Sequence, residues 1–308
     1  MALPMILDCD PGHDDMVALL LASRHADLLA ITTVAGNAPL DRSTHNALVA
    51  AQLFNLRAAV HSGAARPLIA RSTFPPVLHG ESGLDGPSLP TLRIEPSPVT
   101  AVEAIIDTTR RIADCWLVAT GPLTNIALAL RADPTLANRI AGISIMGGGI
   151  AFGNITPSAE FNFWADPEAA SIVLTSGVPL VLAPLDVTHQ LLVTPEFSHR
   201  VRTQDTSIAE FMADLFDTYA QRYQGIFFED AIGPLHDPCA VLALTHPELF
   251  EFQDMAIEVA TGSGPARGAT LADRRGTKID HPASVRVAVT IDSDAALELV
   301  IDAIAAIP

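Results

Sequence analysis

Lysine is almost missing from this chain. Among 308 residues Lys278 is the only one, so nearly all of the 18 basic residues are arginines. Schiff bases and most other lysine-dependent chemistry fall away with it. Basic charge is scarce altogether: 18 Lys and Arg stand against 35 Asp and Glu, a formal net charge of -17. Such a surface repels phosphate backbones and anionic headgroups, which argues against nucleic acid or membrane as a partner. It does not argue against a small neutral substrate. Cysteine is sparse too. Cys9, Cys115 and Cys239 form no C-x-x-C pair, and an odd count is a poor disulfide framework. Cys9 and Cys115 fall in or beside apolar runs, where a buried inert thiol is the common case. No uncharged apolar run of about 18 residues occurs, and no basic n-region with a long apolar core opens the chain. A cytoplasmic, reducing location is the expectation.

What the chain has instead is apolar residues, 49% of the total, ample for a sizeable core. Short apolar runs alternate with helical spacing. Strands are expected at 5–7, 28–34, 60–61, 115–120, 143–146 and 180–182, and around 254–260, 269–273 and 284–290. Helices are expected at about 14–25, from Asp41, at 99–112, from Thr124 or Asn125, from Pro167, and at 206–224, 239–244 and 295–306. That alternation builds an α/β fold, a mostly parallel central sheet with helices on both faces. Nothing reads as a linker or repeat, so one domain is expected over 1–308. Residues 66–98 are rich in Pro, Gly and Ser, and so long a loop in a compact domain is usually functional or mobile.

The acid is concentrated in Leu7-Asp8-Cys9-Asp10-Pro11-Gly12-His13-Asp14-Asp15, and no Lys or Arg follows until Arg24. The cluster sits where a buried strand meets a helix, at a carboxyl strand end, where open parallel sheets bind ligands. Asp8 and Asp10 are two apart and would share a strand face. Pro11-Gly12 turns the chain, and Asp14 and Asp15 enter the first helical turn. Like charges this close raise one another's pKa, and a divalent cation removes that cost. The donors are hard oxygens with no Cys or His at zinc spacing, which favours calcium or magnesium. Capping and the helix dipole would explain one or two of these acids, not two at the end of an apolar strand. Other strand ends offer groups that could converge on them: Asn37, Thr120, Met146, Asn154 with Glu160 and Asn162, and His236 with Asp237. Gly147 to Gly149 could be a phosphate loop, but no Lys-Ser/Thr follows.

The opening Asp-x-Asp-Pro-Gly-x-Asp-Asp, with Met-Gly-Gly-Gly at 146–149, Glu-Phe-Asn at 160–162 and His-Asp-Pro at 236–238, resembles the nucleoside hydrolase family. These are calcium-dependent enzymes that cleave the N-glycosidic bond of ribonucleosides. The resemblance runs from Ile6 to at least Pro238. It implies that Asp10, Asp15 and Asp237 bind calcium through their carboxylates, and Thr120 through its backbone carbonyl. Asp10 would also be the general base on the attacking water. Asp14, Asn37 and Asn162 would hold the ribose hydroxyls, and Asn154, Glu160 and Met146 the 5′ end, with Phe161 covering the sugar. His79 would contact the base. His236 matches the His that assists the leaving base in the non-specific and pyrimidine-using members. The resemblance also implies a homodimer or homotetramer.

The chemistry agrees with this. Breaking a ribosyl C–N bond builds positive charge on the sugar, and an acidic pocket stabilises that charge. Purine-specific members place a Trp near the base, whereas Trp116 and Trp164 lie where core packing explains them better. The Asp-Pro-Gly-His wording is similar to pyrimidine-preferring bacterial members, so uridine and cytidine are the expected substrates. Tyr219, Tyr223, Gln224, Phe227 and Phe228 precede His236, where the family contacts the base. The carboxylates around His13 would favour its charged form. Two other functions compete. A haloacid dehalogenase-type phosphatase would use Asp8 as nucleophile, Asp10 as acid and magnesium, but Gly12-His13 departs from its pattern and Lys278 is badly placed. A nucleoside-binding protein without hydrolysis is opposed by the intact set Asp10, Asp14, Asp15, Asn162, His236 and Asp237.

Overall fold

The computed structural model describes residues 2–74, 80, 82–274 and 284–307. His79 and Lys278 lie outside the described residues.

The first strand, β1 (Leu3–Cys9), carries Met5, Ile6 and Leu7 with almost no exposed surface. That is the behaviour of a strand covered on both faces. To one side lie β2 (Ala26–Thr33) and β3 (Ala59–Ser62). To the other lie β4 (Cys115–Ala119), β5 (Ile140–Met146) and β6 (Leu180–Ala183). Later in the chain, β7 (Leu192–Val193) and β8 (Gly233–Pro234) form a separate antiparallel pair. Then β9 (Phe250–Val259), β10 (Thr270–Asp273) and β11 (Ser284–Ile291) complete a nine-stranded sheet of order β10-β9-β11-β6-β5-β4-β1-β2-β3. Every pairing from β3 across to β11 is parallel, and β9 is antiparallel to both of its neighbours. The order 3-2-1-4-5-6 is the doubly wound one. Its progression reverses between β1 and β4, which opens a crevice beyond their carboxyl ends.

Alternation along β1 divides the core. Met5, Leu7 and Cys9 join one cluster with the helices His13–His25, Leu40–Leu53, Ser207–Tyr223, Pro238–Thr245 and Ser293–Ala305. Ile6 joins the opposite cluster with the helices Ala101–Arg111, Thr124–Ala132 and Pro167–Leu174. The expected mostly parallel sheet with helices on both faces is therefore what forms. Asp166 caps the helix after it as its sequence suggests, accepting from the Ala169 N–H at 3.1 Å. Residues 160–162, expected in a loop, instead start the helix Phe161–Ala165. The helices Leu185–Thr188 and Pro195–Arg202 left no periodic signal, being only 4 and 8 residues long. Residues 66–98 hold no helix or named strand among the described residues. All three cysteines are buried and unpaired. Among the described residues no helix is long and apolar enough to cross a membrane.

Candidate active site

The acids gather at the β1/β4 crevice. β1 ends at Cys9, and the turn Pro11-Gly12 starts the first helix at His13. The Asp15 carboxylate reaches back to accept the Gly12 N–H at 2.8 Å, and its other oxygen accepts from Thr120 Oγ1 at 2.7 Å. One residue thus fastens the helix start to the end of β4. The Asp10 carboxylate is gripped on one oxygen by the Asn37 N–H at 2.6 Å. A Cβ at Gly36 would collide with that oxygen, so only glycine lets the β2 loop close so tightly. From the far side Asp237 begins the helix Pro238–Thr245, and its side chain makes no capping bond, which leaves it free for the cluster.

Asp14, Asp15 and Asp237 each bring a carboxylate oxygen within 4.8 Å of the others. Asp10 stands beside this trio and shares its repulsion with Asp15 and Asp14. Burial, followed by that repulsion, pushes Asp10 and Asp237 well above the usual carboxylate range. Asp14 rises to about 7 for the same two reasons, held back by hydrogen bonds from the His236 N–H and the Tyr219 hydroxyl. Two buried oxygens, Asp10 Oδ1 and Asp14 Oδ1, have no hydrogen-bond partner. Unpaired buried acceptors of this kind are costly. The donor set is all hard oxygen, so the residues fit a calcium-type cation better than zinc.

Asp8 has a different fate from Asp10. It lies on the Ile6 face and accepts from Thr32 Oγ1 at 2.6 Å and Asn125 Nδ2 at 2.8 Å. It does not line the cavity. His13 departs from expectation as well. Its ring is fully buried, stacks on Tyr219 with centroids 5.2 Å apart, and meets the Asp85 carbonyl through Nε2 at 2.9 Å. Burial outweighs the neighbouring charge and pushes its pKa down to about 4, so the neutral form is favoured.

Above the acids a cavity is lined by Asp14, Asn37, Thr120, Met146, Asn154, Ile155, Glu160, Phe161, Asn162, Tyr223, Ile226, Phe227, His236 and Asp237. Asp10 and Asp15 are not among the lining residues, although they share the cluster of Asp14 and Asp237. The sugar side is organised by Glu160. It accepts from the backbone N–H groups of Asn162 and Gly148 at 2.8 Å and of Phe163 at 3.2 Å. Burial still raises it to about 7. Gly148 therefore gives its N–H to Glu160, and Gly149 gives its own to Thr270 at 3.1 Å. The glycine run is used up inside the fold, as befits a loop without a phosphate role. Asn162 donates to the Thr120 and Met146 carbonyls at 2.7 and 3.1 Å, which aims both strand ends at one point. Asn154 accepts from the Phe161 N–H at 2.9 Å.

The other end is aromatic. His236 Nε2 lies 3.1 Å from the Tyr223 hydroxyl, and Nδ1 lies 2.7 Å from Thr188 Oγ1. The Tyr219 hydroxyl lies 3.3 Å from the Tyr223 hydroxyl. Of the five residues before His236 singled out in the sequence, Tyr223 and Phe227 line the cavity, joined by Ile226 and Ile155. Thr188 and His189 gave no sequence signal. Trp116 packs against the core, as expected, and neither Trp lines the cavity; Trp164 belongs to neither core cluster and lines a separate pocket instead.

The family model described as inosine-uridine preferring nucleoside hydrolase matches residues 5–298. The chain is 41% identical over 293 residues to pyrimidine-specific ribonucleoside hydrolases RihB from Shigella flexneri serotype 5b and Escherichia coli O9:H4, covering 94% of this chain and 93% of each relative. It superimposes on a purine-preferring ribonucleoside hydrolase from Gardnerella vaginalis with a TM-score of 0.92 at 30% identity, covering 99% of this chain and 98% of that one. A plant nucleoside hydrolase, PpNRh1, gives 0.91 at 29% identity, covering 99% and 100%.

Proposed function

The chain belongs to the inosine-uridine preferring nucleoside hydrolase family, and from that premise we propose that it cleaves pyrimidine ribonucleosides to free base and ribose at a calcium site. It is an N-glycosyl hydrolase of ribonucleosides. The carrying observation for the finer reading is one juxtaposition. One cavity brings together the acid cluster, with its unpaired oxygens, and the His236–Tyr223 pair.

Asp10, Asp15 and Asp237, with the Thr120 carbonyl, would hold the ion, and Asp14 borders it. A bound calcium supplies a lowered water pKa and an oriented nucleophile. Asp10 is the general base: Asn37 fixes one of its oxygens, and the unpaired Oδ1 takes the proton of the water attacking C1′. Asp14, Asn37 and Asn162 hold the ribose hydroxyls. Asn154, Glu160 and Met146 hold the 5′ end, and Phe161 covers the ring. The surrounding carboxylates stabilise positive charge as it develops on the sugar. His236, with Tyr223, delivers a proton to the departing base. His79 is proposed as a further base contact on sequence grounds alone. We also read residues 1–308 as one domain, supported by the single nine-stranded sheet. The chain is proposed to be cytoplasmic and to form a dimer or tetramer.

Pyrimidine preference is supported by the RihB relatives and by a base end that offers His236 and Tyr223 with no Trp. The test is ribose release from uridine, cytidine, inosine, guanosine and adenosine, with and without chelator. Chelator-sensitive release led by uridine is expected. Inosine and guanosine far ahead of uridine and cytidine would sink the preference, and chelator-resistant release would sink the calcium site.

A further inference from the structure

Thr188 is fully buried at the end of the short helix Leu185–Thr188, and its hydroxyl lies 2.7 Å from His236 Nδ1. With Tyr223 at Nε2, the imidazole is pinned at both nitrogens. His189, the next residue, packs its ring against His236 with centroids 5.4 Å apart.

The segment that presents them is itself well held. Asp186 accepts the N–H groups of Ile150 and Ala151 at 2.7 and 3.0 Å. The Thr188 N–H bonds the Pro184 carbonyl at 3.1 Å. The β7–β8 pair, extended by the Leu235 N–H to the Leu191 carbonyl at 2.8 Å, fastens the chain before His236 alongside the chain after Thr188. Thr188 and His236 therefore belong to one braced unit rather than to two independent loops.

We propose that Thr188 is the positioning residue for His236, an inference that rests on reading His236 as the proton donor. A hydroxyl both donates and accepts. Thr188 can therefore accept from Nδ1–H or donate to bare Nδ1, and the ring keeps one orientation in either state. When the C1′–N bond breaks, its electron pair stays on the base nitrogen and the Nε2 proton neutralises it, directly or across the Tyr223 hydroxyl. The proton that Asp10 takes from water balances the one lost, so the net reaction consumes water alone. A ring free to turn about its side-chain bonds would present Nε2 to the base only part of the time.

The test compares wild type, Thr188→Val and Thr188→Ser on uridine and on p-nitrophenyl β-D-ribofuranoside, whose leaving group departs without a proton. Valine keeps the volume and removes the hydroxyl. It is expected to lower kcat on uridine about 10–100-fold while leaving the nitrophenyl compound within about twofold. Serine should restore most of the uridine rate, and calcium affinity measured by titration calorimetry should be unchanged in both variants. Thr188→Ala reads the same split if the valine variant does not fold. Equal losses on both compounds, or no loss on uridine, would overturn the assignment. His236→Ala separates the two layers. If it also fails to split the compounds, the proton-donor reading falls. If it splits them and Thr188→Val does not, only the role of Thr188 falls.

Discussion

The two ends of the cavity are built from different material. The acid end is made of strand ends and first helical turns, with Asp10, Asp14, Asp15 and Asp237 all at 3% exposure or less. Its groups are tied to the ends of three strands, by the Asn37 N–H after β2, the Gly12 N–H after β1 and the Thr120 hydroxyl after β4. The base end is made of the last turn of the helix Ser207–Tyr223 and the loop after it, with Ile226 51% exposed and Phe227 half-buried. Chemistry at the anomeric carbon needs groups held to fractions of an ångström. Recognition of a base needs walls that admit and release a ring. The fold assigns buried strand ends and first helical turns to the first task and partly exposed loop residues to the second.

The largest break in that comparison comes from Asp10. Asp10→Ala removes the general base and an expected ligand together, so ribose release from uridine should fall about 10³-fold or more. A variant retaining a tenth of the wild-type rate would move the site elsewhere. At the base end the loss should be smaller and selective. Tyr223→Phe keeps the ring but removes the hydroxyl 3.1 Å from His236 Nε2. It should slow uridine about tenfold and spare p-nitrophenyl β-D-ribofuranoside. Equal slowing of both would make Tyr223 part of the packing alone.

Much of the acid end was legible in the sequence because four carboxylates beside an apolar strand have few structural uses. The sheet was legible for a related reason, since strands buried on both faces read as continuous apolar runs. The base end was not. Tyr219, Tyr223, Phe227 and Phe228 look like the apolar face of any helix and its exit, and only the fold shows that Tyr223 turns to His236 while Tyr219 stacks on His13. Thr188 is a lone Thr in a four-residue helix, and its meaning lies wholly in a contact with a residue 48 positions away. His13 was misjudged because a sequence displays neighbouring charge but not depth, and burial dominates at that position.

The acid end should also write itself into the pH dependence of stability. Asp8, Asp14 and Glu160 are raised by burial to about 7. A folded pKa above the unfolded one contributes stability that is complete below about pH 4 and is lost as pH rises through about 7. In chelator the Tm should therefore decline from pH 5 to pH 8, by about 5 °C or more. Calcium favours the charged form of Asp10, Asp15 and Asp237 and of Asp14 beside them, and should flatten that decline without abolishing it, because Asp8 and Glu160 neither hold nor border the proposed ion. A metal-free Tm that rises over the same range would mean that the cluster is not buried as charged groups must avoid.

The smallest effect should come from the residue most easily confused with the site. Asp8 and Asp10 are two apart, both 1% exposed, and each has one oxygen with no partner. Their surroundings differ in kind. Asp8 faces neutral donors, Thr32 and Asn125, and joins β1 to β2 and to the helix Thr124–Ala132. Asp10 faces Asp15 and Asp14. Asp8→Asn keeps the oxygen that accepts both of its hydrogen bonds and replaces the unpaired one with an amide nitrogen lacking an acceptor. It should cost about 1–2 kcal/mol in denaturant unfolding. Calcium affinity and kcat should stay within about threefold of wild type, whereas Asp10→Asn loses both. A collapse of calcium binding in Asp8→Asn would place Asp8 in the ion's shell and move the boundary between scaffold and site by one turn of the pleat.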